Sequence, residues 1–269
     1  MHRNHLSISL LITFLLAILL NSEAKSSDLI GWYQFNDSSN LGLDSSGFNN
    51  NGTVLNNGAP PTYDPNGLNA GSVMFNGGGS IQLPINTRPV DLPNMTWGAW
   101  VKPNVLTPNR TIISNDDQDY DRTLSIDNRG GNNYSAFTNS SSPVFNSGVA
   151  PTNSWIFIAG VYENNYYSTG SGLLTFYVGN QTFNGIQTSF GPTTWLTTSL
   201  GSNPSFAEYW DGQMDDAFVF NGALDPTQMQ TLIANGPGAF VVPEPSTLLL
   251  TSLPAAGILL LSYLRRKKA

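Results

Sequence analysis

Carboxylates are the side chains of this sequence that could carry out chemistry, because other common catalytic groups are missing. The chain has no cysteine, and its two histidines, His2 and His5, lie at the extreme N-terminus. Beyond that terminus the sequence excludes Ser-His-Asp and Cys-His nucleophilic sites and the usual zinc and copper ligand sets. Disulfide bonds are excluded as well, so the folded part depends on its own core.

Glycoside hydrolysis by two carboxylates is the enzymatic reaction that these residues could support. Between residues 25 and 240 the only glutamates are Glu163 and Glu208, which lie 45 residues apart in the chain. Neighbouring aspartates such as Asp215 and Asp216 are expected to point to opposite faces of a strand, where they cannot act on one bond. The sequence therefore predicts a protein that is not an enzyme.

A run of acidic residues from Asp116 to Asp121 places candidate cation ligands at alternating positions. An EF-hand loop that begins at Asp117 would need glycine where the chain has Arg122 and glutamate where it has Asn128. This excludes an EF-hand and leaves two interpretations, a solvated loop or a weak, exposed cation site.

Aromatic residues beside amides form two candidate sugar-binding groups, since aromatic rings stack on sugars and amides bond to sugar hydroxyls. The first group is Tyr162, Asn164, Asn165, Tyr166 and Tyr167, and the second is Tyr209 and Trp210. The same aromatic residues could instead cover the edge of a sheet, so both interpretations stay open.

The charge balance excludes one class of partner. Residues 25–240 contain six basic and sixteen acidic side chains, a net charge of −10. Nucleic-acid binding depends on basic contacts with phosphate, so we expect no nucleic-acid partner. An acidic surface instead favours solubility and the capture of cations.

The N-terminus has the pattern of a signal peptide. His2, Arg3 and His5 precede an apolar run from residue 10 to residue 20, and Ser22-Glu23-Ala24 follows as a small-x-small cleavage pattern. The run is short for a membrane span. We therefore predict that residues 1–24 are a signal peptide, cleaved after Ala24, and that the protein is exported.

The C-terminus has the pattern of a membrane anchor that is preceded by a processing site. Residues 247–263 are almost wholly apolar and predict a transmembrane helix. The basic residues that follow predict a cytoplasmic stop; they are Arg265, Arg266, Lys267 and Lys268. Before the helix stands Val242-Pro243-Glu244-Pro245, where the two prolines keep the backbone extended and open to a processing enzyme.

Residues 241–269 resemble the PEP-CTERM sorting signal, in which Pro-Glu-Pro, an apolar helix and a basic tail occur in this order. The resemblance implies recognition by the membrane protease exosortase. It also implies a location for the protein, first tethered to the inner membrane and then at the cell surface or in the extracellular matrix of a Gram-negative-type bacterium.

The intervening residues, 25–240, have the length of one large domain and the composition of an all-β protein. Short apolar segments alternate with turn-forming pairs such as Asn57-Gly58 and Asn221-Gly222. The predicted strands are 29–35, 72–75, 80–83, 95–101, 111–114, 123–126, 135–138, 155–162, 173–178, 181–183 and 215–220. Strands do not alternate with helices, so we predict two antiparallel sheets packed face to face.

Two local patterns add detail to this prediction. Met95, Trp97, Ala99 and Val101 recur at every second position and predict one apolar face of a strand. A helix is predicted after Asp225, with Asp225 as its N-cap and Pro226 at its first position. Gly236 and Pro237 are expected to end it.

The order of several motifs resembles a laminin-G-like, concanavalin-A-like jelly roll. They are Gly31-Trp32-Tyr33-Gln34-Phe35, Leu43-Asp44-Ser45-Ser46-Gly47, Val73-Met74-Phe75-Asn76-Gly77, Trp97-Gly98-Ala99-Trp100-Val101-Lys102-Pro103, Trp155 to Gly160, Leu174 to Asn180 and Trp210 to Ala217. This resemblance covers nearly the whole of residues 25–240 and implies an antiparallel jelly-roll β-sandwich.

The same resemblance implies a possible calcium cofactor, held between the first and last strands. Asp215 or Asp216 would supply the carboxylate, with carbonyl groups near Asn36 and from the Asn76-Gly77 turn.

Two functional hypotheses follow. The first is a non-catalytic, adhesive surface protein that exosortase sorts into an exopolysaccharide layer. The alternative is a dedicated carbohydrate-binding module with a defined glycan ligand. Polysaccharide is a possible partner under both hypotheses, and saturable binding to one glycan distinguishes them.

Overall fold

The computed structural model describes residues 27–107, 109–116, 122–137, 144–145, 148, 152–163, 172–187, 194–203 and 205–241. The predicted signal peptide, the predicted sorting segment from Val242 onward and the tyrosines Tyr166 and Tyr167 lie outside these residues. In the described ranges, no helix is long and apolar enough to cross a membrane. The compact unit that contains the sheets ends at Ala239, and a second unit begins at Phe240.

Sheet A has eight antiparallel strands. They are β1 (Leu29–Tyr33), β3 (Thr62–Asp64), β4 (Ser72–Asn76), β6 (Met95–Pro103), β11 (Ile156–Glu163), β12 (Gly172–Val178), β13 (Gln181–Gln187) and β17 (Asp211–Phe220). Their order is β13-β12-β11-β6-β17-β4-β3, and β1 pairs with the later part of β17. The closing strand β17 thus has two partners along one edge, β4 at its beginning and β1 at its end.

Sheet B has seven strands in the order β10-β9-β8-β7-β14-β5-β2. They are β2 (Thr53–Ala59), β5 (Gly78–Leu83), β7 (Arg110–Asn115), β8 (Arg122–Asp127), β9 (Asn133–Phe137), β10 (Val144–Phe145) and β14 (Thr198–Leu200). A separate ribbon pairs β15 (Ser202–Asn203) with β16 (Glu208–Tyr209). The described residues therefore form the antiparallel β-sandwich that the sequence predicted.

The core lies between the inner faces of the two sheets. Met95, Trp97, Ala99 and Val101 are all fully buried in it, which confirms the predicted period of two in β6. From sheet B, alternate residues such as Leu124 and Ile126 enter the same core.

The outer face of sheet A is also apolar and is covered by a helix. Phe157 stacks on Phe218 with ring centroids 5.9 Å apart, and Trp100 meets Phe157 edge-on at 5.5 Å. Helix α1 (Pro226–Asn235) lies over this face and buries Met229 and Leu232. Phe157 and Phe218 are each 1% exposed and cannot meet a ligand, whereas Trp100 is half-buried and lines a cavity at the edge of this sheet.

The helix begins and ends as predicted. The Asp225 side chain accepts hydrogen bonds from the Thr227 and Gln228 amides, and the Gln228 side chain bonds back to the Asp225 amide, which completes a capping box. Gly236 is the C-cap. Short 3-10 helices, Asn128–Gly130 and Pro237–Phe240, complete the described elements.

All eleven predicted strands are present, with ends that differ by a few residues. The turn predicted at Asn57-Gly58 is wrong, because both residues lie inside β2. There they form a bulge between the pairs Asn56–Gly79 and Ala59–Gly78, with Gly58 at a φ of +114°. The Asn-Gly pair supplies the positive φ of a bulge here, not that of a hairpin turn.

Candidate functional site

The outer face of sheet B carries small hydroxyl side chains where sheet A carries aromatic rings. In β8, Thr123 and Ser125 alternate with the core residues Leu124 and Ile126 and therefore face outward. Ser125 is paired with Ser135 on β9, and their hydroxyls lie 2.8 Å apart. Across the other edge of β8, Thr123 is paired with Ser114 of β7, which is in turn paired with Ser199.

The β15–β16 ribbon packs on this face, against β7 and β5. Gly201 makes the turn into the ribbon with a φ of +77°, and an added Cβ would overlap the ring of Phe75. The Gly201 amide donates to the Ile112 carbonyl at 2.8 Å, and its carbonyl accepts from the Trp210 amide at 2.8 Å. Backbone hydrogen bonds on both sides of one glycine thus hold the ribbon in place.

A cleft of about 400 Å³ remains between the ribbon and the outer face, and we call it the sheet B cleft. Its lining is mainly polar, with Phe206 at the ribbon tip; the lining residues are Asn109, Asp116, Thr123, Ser125, Asp127, Asn128, Arg129, Phe137, Asn203, Phe206 and Glu208. Phe206 is 51% exposed. Its ring is therefore accessible as a stacking surface beside polar groups.

One wall of the cleft is an ordered ion pair. Arg129 donates from Nε to Asp127 Oδ1 at 2.9 Å and from Nη2 to Asp127 Oδ2 at 2.6 Å. Its guanidinium carbon lies 4.6 Å from the ring centroid of Phe137. Asp127 also caps the 3-10 helix by accepting from the Arg129 amide at 2.8 Å. These contacts fix the arginine in one position at the cleft wall.

Several buried polar atoms at the cleft have no hydrogen-bond partner among the residues that the structure describes. They are Thr123 Oγ1, Ser114 Oγ and Asn203 Oδ1. Thr123 and Asn203 line the cleft, and Ser114 is the cross-strand partner of Thr123. The Asn203 amide group is held in place because its Nδ2 donates to Asp116 Oδ2 at 2.7 Å. Buried polar groups are generally satisfied, so the oxygens of Thr123 and Asn203, the two of these residues that line the cleft, have hydrogen-bonding capacity that the described residues do not use.

The pKa of Glu208 is shifted by its burial and by the charged residues that line the sheet B cleft. Burial raises the pKa of Glu208, and the negative charges of Asp116 and Asp127 raise it further. Thr111 opposes this shift through a long hydrogen bond of 3.4 Å from its hydroxyl to Glu208 Oε2. The positive charge of Arg129 also opposes it, but this is the smallest of these effects, so the charges around Glu208 are on balance negative.

A second cavity, of about 430 Å³, lies at the edge of sheet A, and we call it the acidic cavity. Asp215 and Asp216 both line it, so the expectation that they point to opposite faces is wrong. The strand is irregular at this point, since its register against β6 shifts between Asp215 and Phe218 and Asp216 has a φ of +47°. The irregularity falls where β17 changes partner from β4 to β1.

All four carboxylate oxygens of this pair accept hydrogen bonds. Asp215 accepts from the Asp216 amide and from the Leu68 amide, each at 2.8 Å. Asp216 accepts from Trp32 Nε1 at 2.8 Å and from Asn69 Nδ2 at 3.2 Å. Burial and the neighbouring Asp216 nevertheless raise the pKa of Asp215 to about 7, and burial also raises the pKa of Asp216.

The predicted calcium ligands are brought together only in part. Asn36 lines the acidic cavity with Asp215 and Asp216, although its Oδ1 already accepts from the Gly71 amide at 2.8 Å. Asn76 is paired with Asp211 at the other end of β17, and Gly77 follows it there. In the described part of the chain, no three acidic, histidine or cysteine side chains are grouped as metal ligands. The five-residue set therefore does not form one site.

The predicted sugar-binding residues are also separated. Tyr162 and Trp210 are fully buried in the core, so neither ring can meet a ligand. Tyr209 is half-buried in the ribbon next to Glu208, and the loop with Tyr166 and Tyr167 is outside the described residues. The prediction is thus wrong for Trp210, because its indole ring is buried. Tyr209, however, lies in the ribbon that forms one side of the sheet B cleft.

Comparison with known proteins agrees with the architecture. The Laminin_G_3 family, described as the concanavalin A-like lectin/glucanases superfamily, matches residues 75–230. No curated protein gives a significant match.

Three solved structures illustrate the likeness of fold. Domain 4 of AbnA, a GH43 extracellular arabinanase from Geobacillus stearothermophilus solved in complex with arabinotriose, has a TM-score of 0.60 and 23% identity over 77% of this chain and 98% of its own. The binding domain of Paraclostridial Mosquitocidal Protein 1 has a TM-score of 0.56 and 14% identity, over 77% and 52% of the two chains. The binding domain of botulinum neurotoxin DC in complex with SialylT has a TM-score of 0.54 and 16% identity, over 77% and 51%.

The chain spans about half the length of the two toxin domains, and at these identities the likeness concerns the fold alone. The family match covers more than half of the chain. The chain therefore belongs to the concanavalin A-like lectin/glucanases superfamily.

Proposed function

We propose that this protein is an exported, non-catalytic polysaccharide-binding protein of the bacterial surface, and that the sheet B cleft is its binding site. The observation that carries the proposal is the combination of buried, unpartnered hydroxyl and amide oxygens with the exposed ring of Phe206 in one cleft. Sugar rings need both kinds of contact, hydrogen bonds to their hydroxyls and stacking on an apolar face.

The fold neighbours support this proposal, because one of them was solved with arabinotriose and another with SialylT. An enzyme is disfavoured by the chemistry available, since the glutamates Glu163 and Glu208 lie on different sheets. A binding role needs no nucleophile or proton donor, which suits a domain without histidine or cysteine.

A pair of matched phenylalanine variants tests the proposal. We expect the full chain to bind at least one member of a panel of bacterial and plant polysaccharides in a saturable manner. Phe206→Ala should weaken that binding by about tenfold. Phe48→Ala should leave it unchanged, because Phe48 is 53% exposed, like Phe206, but does not line the cleft. Equal losses in both variants, or none in either, would contradict the placement of the site.

Export and sorting are the second part of the proposal. The supporting pattern is the charged and apolar N-terminus that ends at Ala24, together with Pro243-Glu244-Pro245, the apolar run and the basic tail. We propose cleavage after Ala24 and processing by exosortase near Pro-Glu-Pro. The mass of the protein recovered from the surface of its own host tests both steps, and an intact tail would contradict sorting.

Calcium is proposed only for the residues that lie together, Asp215, Asp216 and Asn36. No lysine or arginine lines this part of the described chain, so a cation would relieve the mutual repulsion of the two carboxylates. It would have to share oxygens that already accept hydrogen bonds, so we expect weak, millimolar binding. Five millimolar calcium should then raise the melting temperature by about 2–4 °C, and no change, or the same change in Asp216→Asn, would contradict it.

A further inference from the structure

We propose that the sheet B cleft selects uncharged polysaccharides and excludes chains that carry uronate or sulfate groups, and that Glu208 enforces this selection. The inference rests on the proposed function, since it names the class of glycan that the same cleft accepts. It goes beyond that function because a hydroxyl-rich cleft with a stacking ring could serve neutral and acidic chains alike.

The charges of the cleft are the first step. Its ionisable lining residues are Asp116, Asp127, Glu208 and Arg129, which together carry a formal charge of −2. The arginine is directed at Asp127 through two hydrogen bonds and covers Phe137 with its planar face. The charges of Arg129 and Asp127 therefore largely compensate each other, so Arg129 is poorly suited to recognise an anionic ligand and the net negative charge of the lining comes from Asp116 and Glu208.

The pKa of Glu208 indicates the electrostatic potential that an ionised ligand group would meet in the cleft. Burial raises this pKa most; the charges of Asp116 and Asp127 raise it further, and the charge of Arg129 lowers it by a smaller amount. The net negative charge of these residues would act against a ligand carboxylate or sulfate at this position, and an ionised Glu208 would add to it. A hydroxyl group carries no charge and meets no such penalty.

The remaining polar groups match hydroxyls. Thr123 Oγ1 can donate and accept, and Asn203 Oδ1 can accept. Ionised Glu208 and Asp116 are acceptors only; a sugar hydroxyl can donate to such a group, whereas an ionised uronate cannot. The described lining therefore offers many acceptors, and its one cationic side chain already faces a carboxylate.

Matched pairs of oligosaccharides that differ only in oxidation at one carbon test the inference. We would titrate the full chain with galactan and polygalacturonate, mannan and polymannuronate, and glucan and polyglucuronate oligomers, the two members of each pair having equal length and the same glycosidic linkage. The neutral member of the best-binding pair should bind at least about tenfold more tightly than its uronate. Raised salt should reduce this ratio, since it screens the repulsion.

Glu208→Gln removes one negative charge at constant shape and should lower the preference for the neutral chain about threefold or more, by tightening the binding of the uronate. Glu163→Gln is the matched control, because Glu163 is exposed on β11 of sheet A and does not line the cleft. It should leave both affinities unchanged.

Three results would each contradict a different part of the two proposals. Equal or tighter binding of the uronate, with Phe206→Ala still weakening it, would overturn the charge selection and leave polysaccharide binding in place. An unchanged preference in Glu208→Gln would overturn the assignment to this residue. Absence of binding to both members of every pair would overturn the proposed function as well.

Discussion

The sheet B cleft and the acidic cavity differ in how their polar groups are hydrogen-bonded. In the acidic cavity, every carboxylate oxygen of Asp215 and Asp216 accepts a hydrogen bond from the protein. In the sheet B cleft, Thr123 Oγ1 and Asn203 Oδ1 are buried without a partner in the described ranges. The first arrangement connects the strands β1 and β17 and the loop at Leu68, whereas the second leaves hydrogen-bonding capacity unused.

This difference separates a structural site from a binding site more clearly than the number of acidic residues does. A satisfied polar group contributes to stability, and losing one partner costs about 1–3 kcal/mol. An unsatisfied buried group costs a similar amount in the free protein, so it persists where a ligand or water completes it. Substitutions in the two cavities should therefore affect different quantities, stability in the first and affinity in the second.

The largest expected effect follows from displacing the ribbon that forms the cleft. Gly201→Ala must adopt a φ of +77° and place its Cβ against Phe75, so we expect a loss of about 3 kcal/mol in the free energy of unfolding together with lost glycan binding. Gly179→Ala is the control, because its φ is +57° but no atom lies near its Cβ. The control should lose about 1 kcal/mol and keep full binding. If chemical denaturation showed the same loss of unfolding free energy in both variants, the overlap with Phe75 would not explain the effect of Gly201→Ala.

The next effect concerns the acidic cavity. Trp32→Phe removes the indole N–H that donates to Asp216, and hydrogen bonds to charged groups contribute about 1.5–3 kcal/mol. We expect a loss of about 2 kcal/mol in urea denaturation and no change in glycan affinity. If Trp32→Phe instead lost glycan affinity and kept its stability, the acidic cavity would be the binding site and the proposed placement would be contradicted.

Most of the fold was predictable from the sequence, because apolar alternation and capping residues act locally. The inner face of β6 and the Asp225 capping box are examples. The pairing of the closing strand was not predictable, since the irregularity at Asp215 and Asp216 arises where β17 changes partner, and that depends on distant strands. A strict period of two therefore misplaced these two side chains.

The sheet B cleft was harder to predict from the sequence than the strands and the helix were. Thr123, Ser125 and Asp127 alternate with apolar residues, a pattern typical of any solvated face. Only the packing of the ribbon over that face brings Phe206 and Glu208 to it from about 80 residues further along the chain. The sequence interpretation chose the larger aromatic Trp210, which packing places in the core.

A smaller effect distinguishes unsatisfied from satisfied hydroxyls. Thr123→Val keeps the shape of the side chain and removes a buried hydroxyl that has no partner among the described residues, so the free energy of unfolding should rise, by about 1 kcal/mol. Glycan affinity should fall about five- to tenfold, as measured by calorimetric titration. Thr96→Val is the matched control, since the Thr96 hydroxyl bonds to the Gly222 carbonyl and the Leu224 amide. It should lose stability and keep affinity, and the opposite pattern would contradict the comparison.

The smallest expected effect is a dependence of stability on pH. The pKa of Asp215 is raised from 3.8 to about 7 in the folded protein, so its contribution is fully present below the unfolded pKa and is lost as the pH rises through about 7. Asp216→Asn removes the neighbouring charge and lowers the pKa of Asp215, and the Asn69 amide can rotate to keep its hydrogen bond. The free energy of unfolding should be measured by urea denaturation at pH 5 and at pH 8. Its decrease between these pH values should be smaller in Asp216→Asn than in the parent chain, by roughly 1 kcal/mol or less. Part of this difference comes from Asp216 itself, because burial raises its pKa as well. A decrease of the same size in both proteins would contradict both the raised pKa of Asp216 and its effect on Asp215.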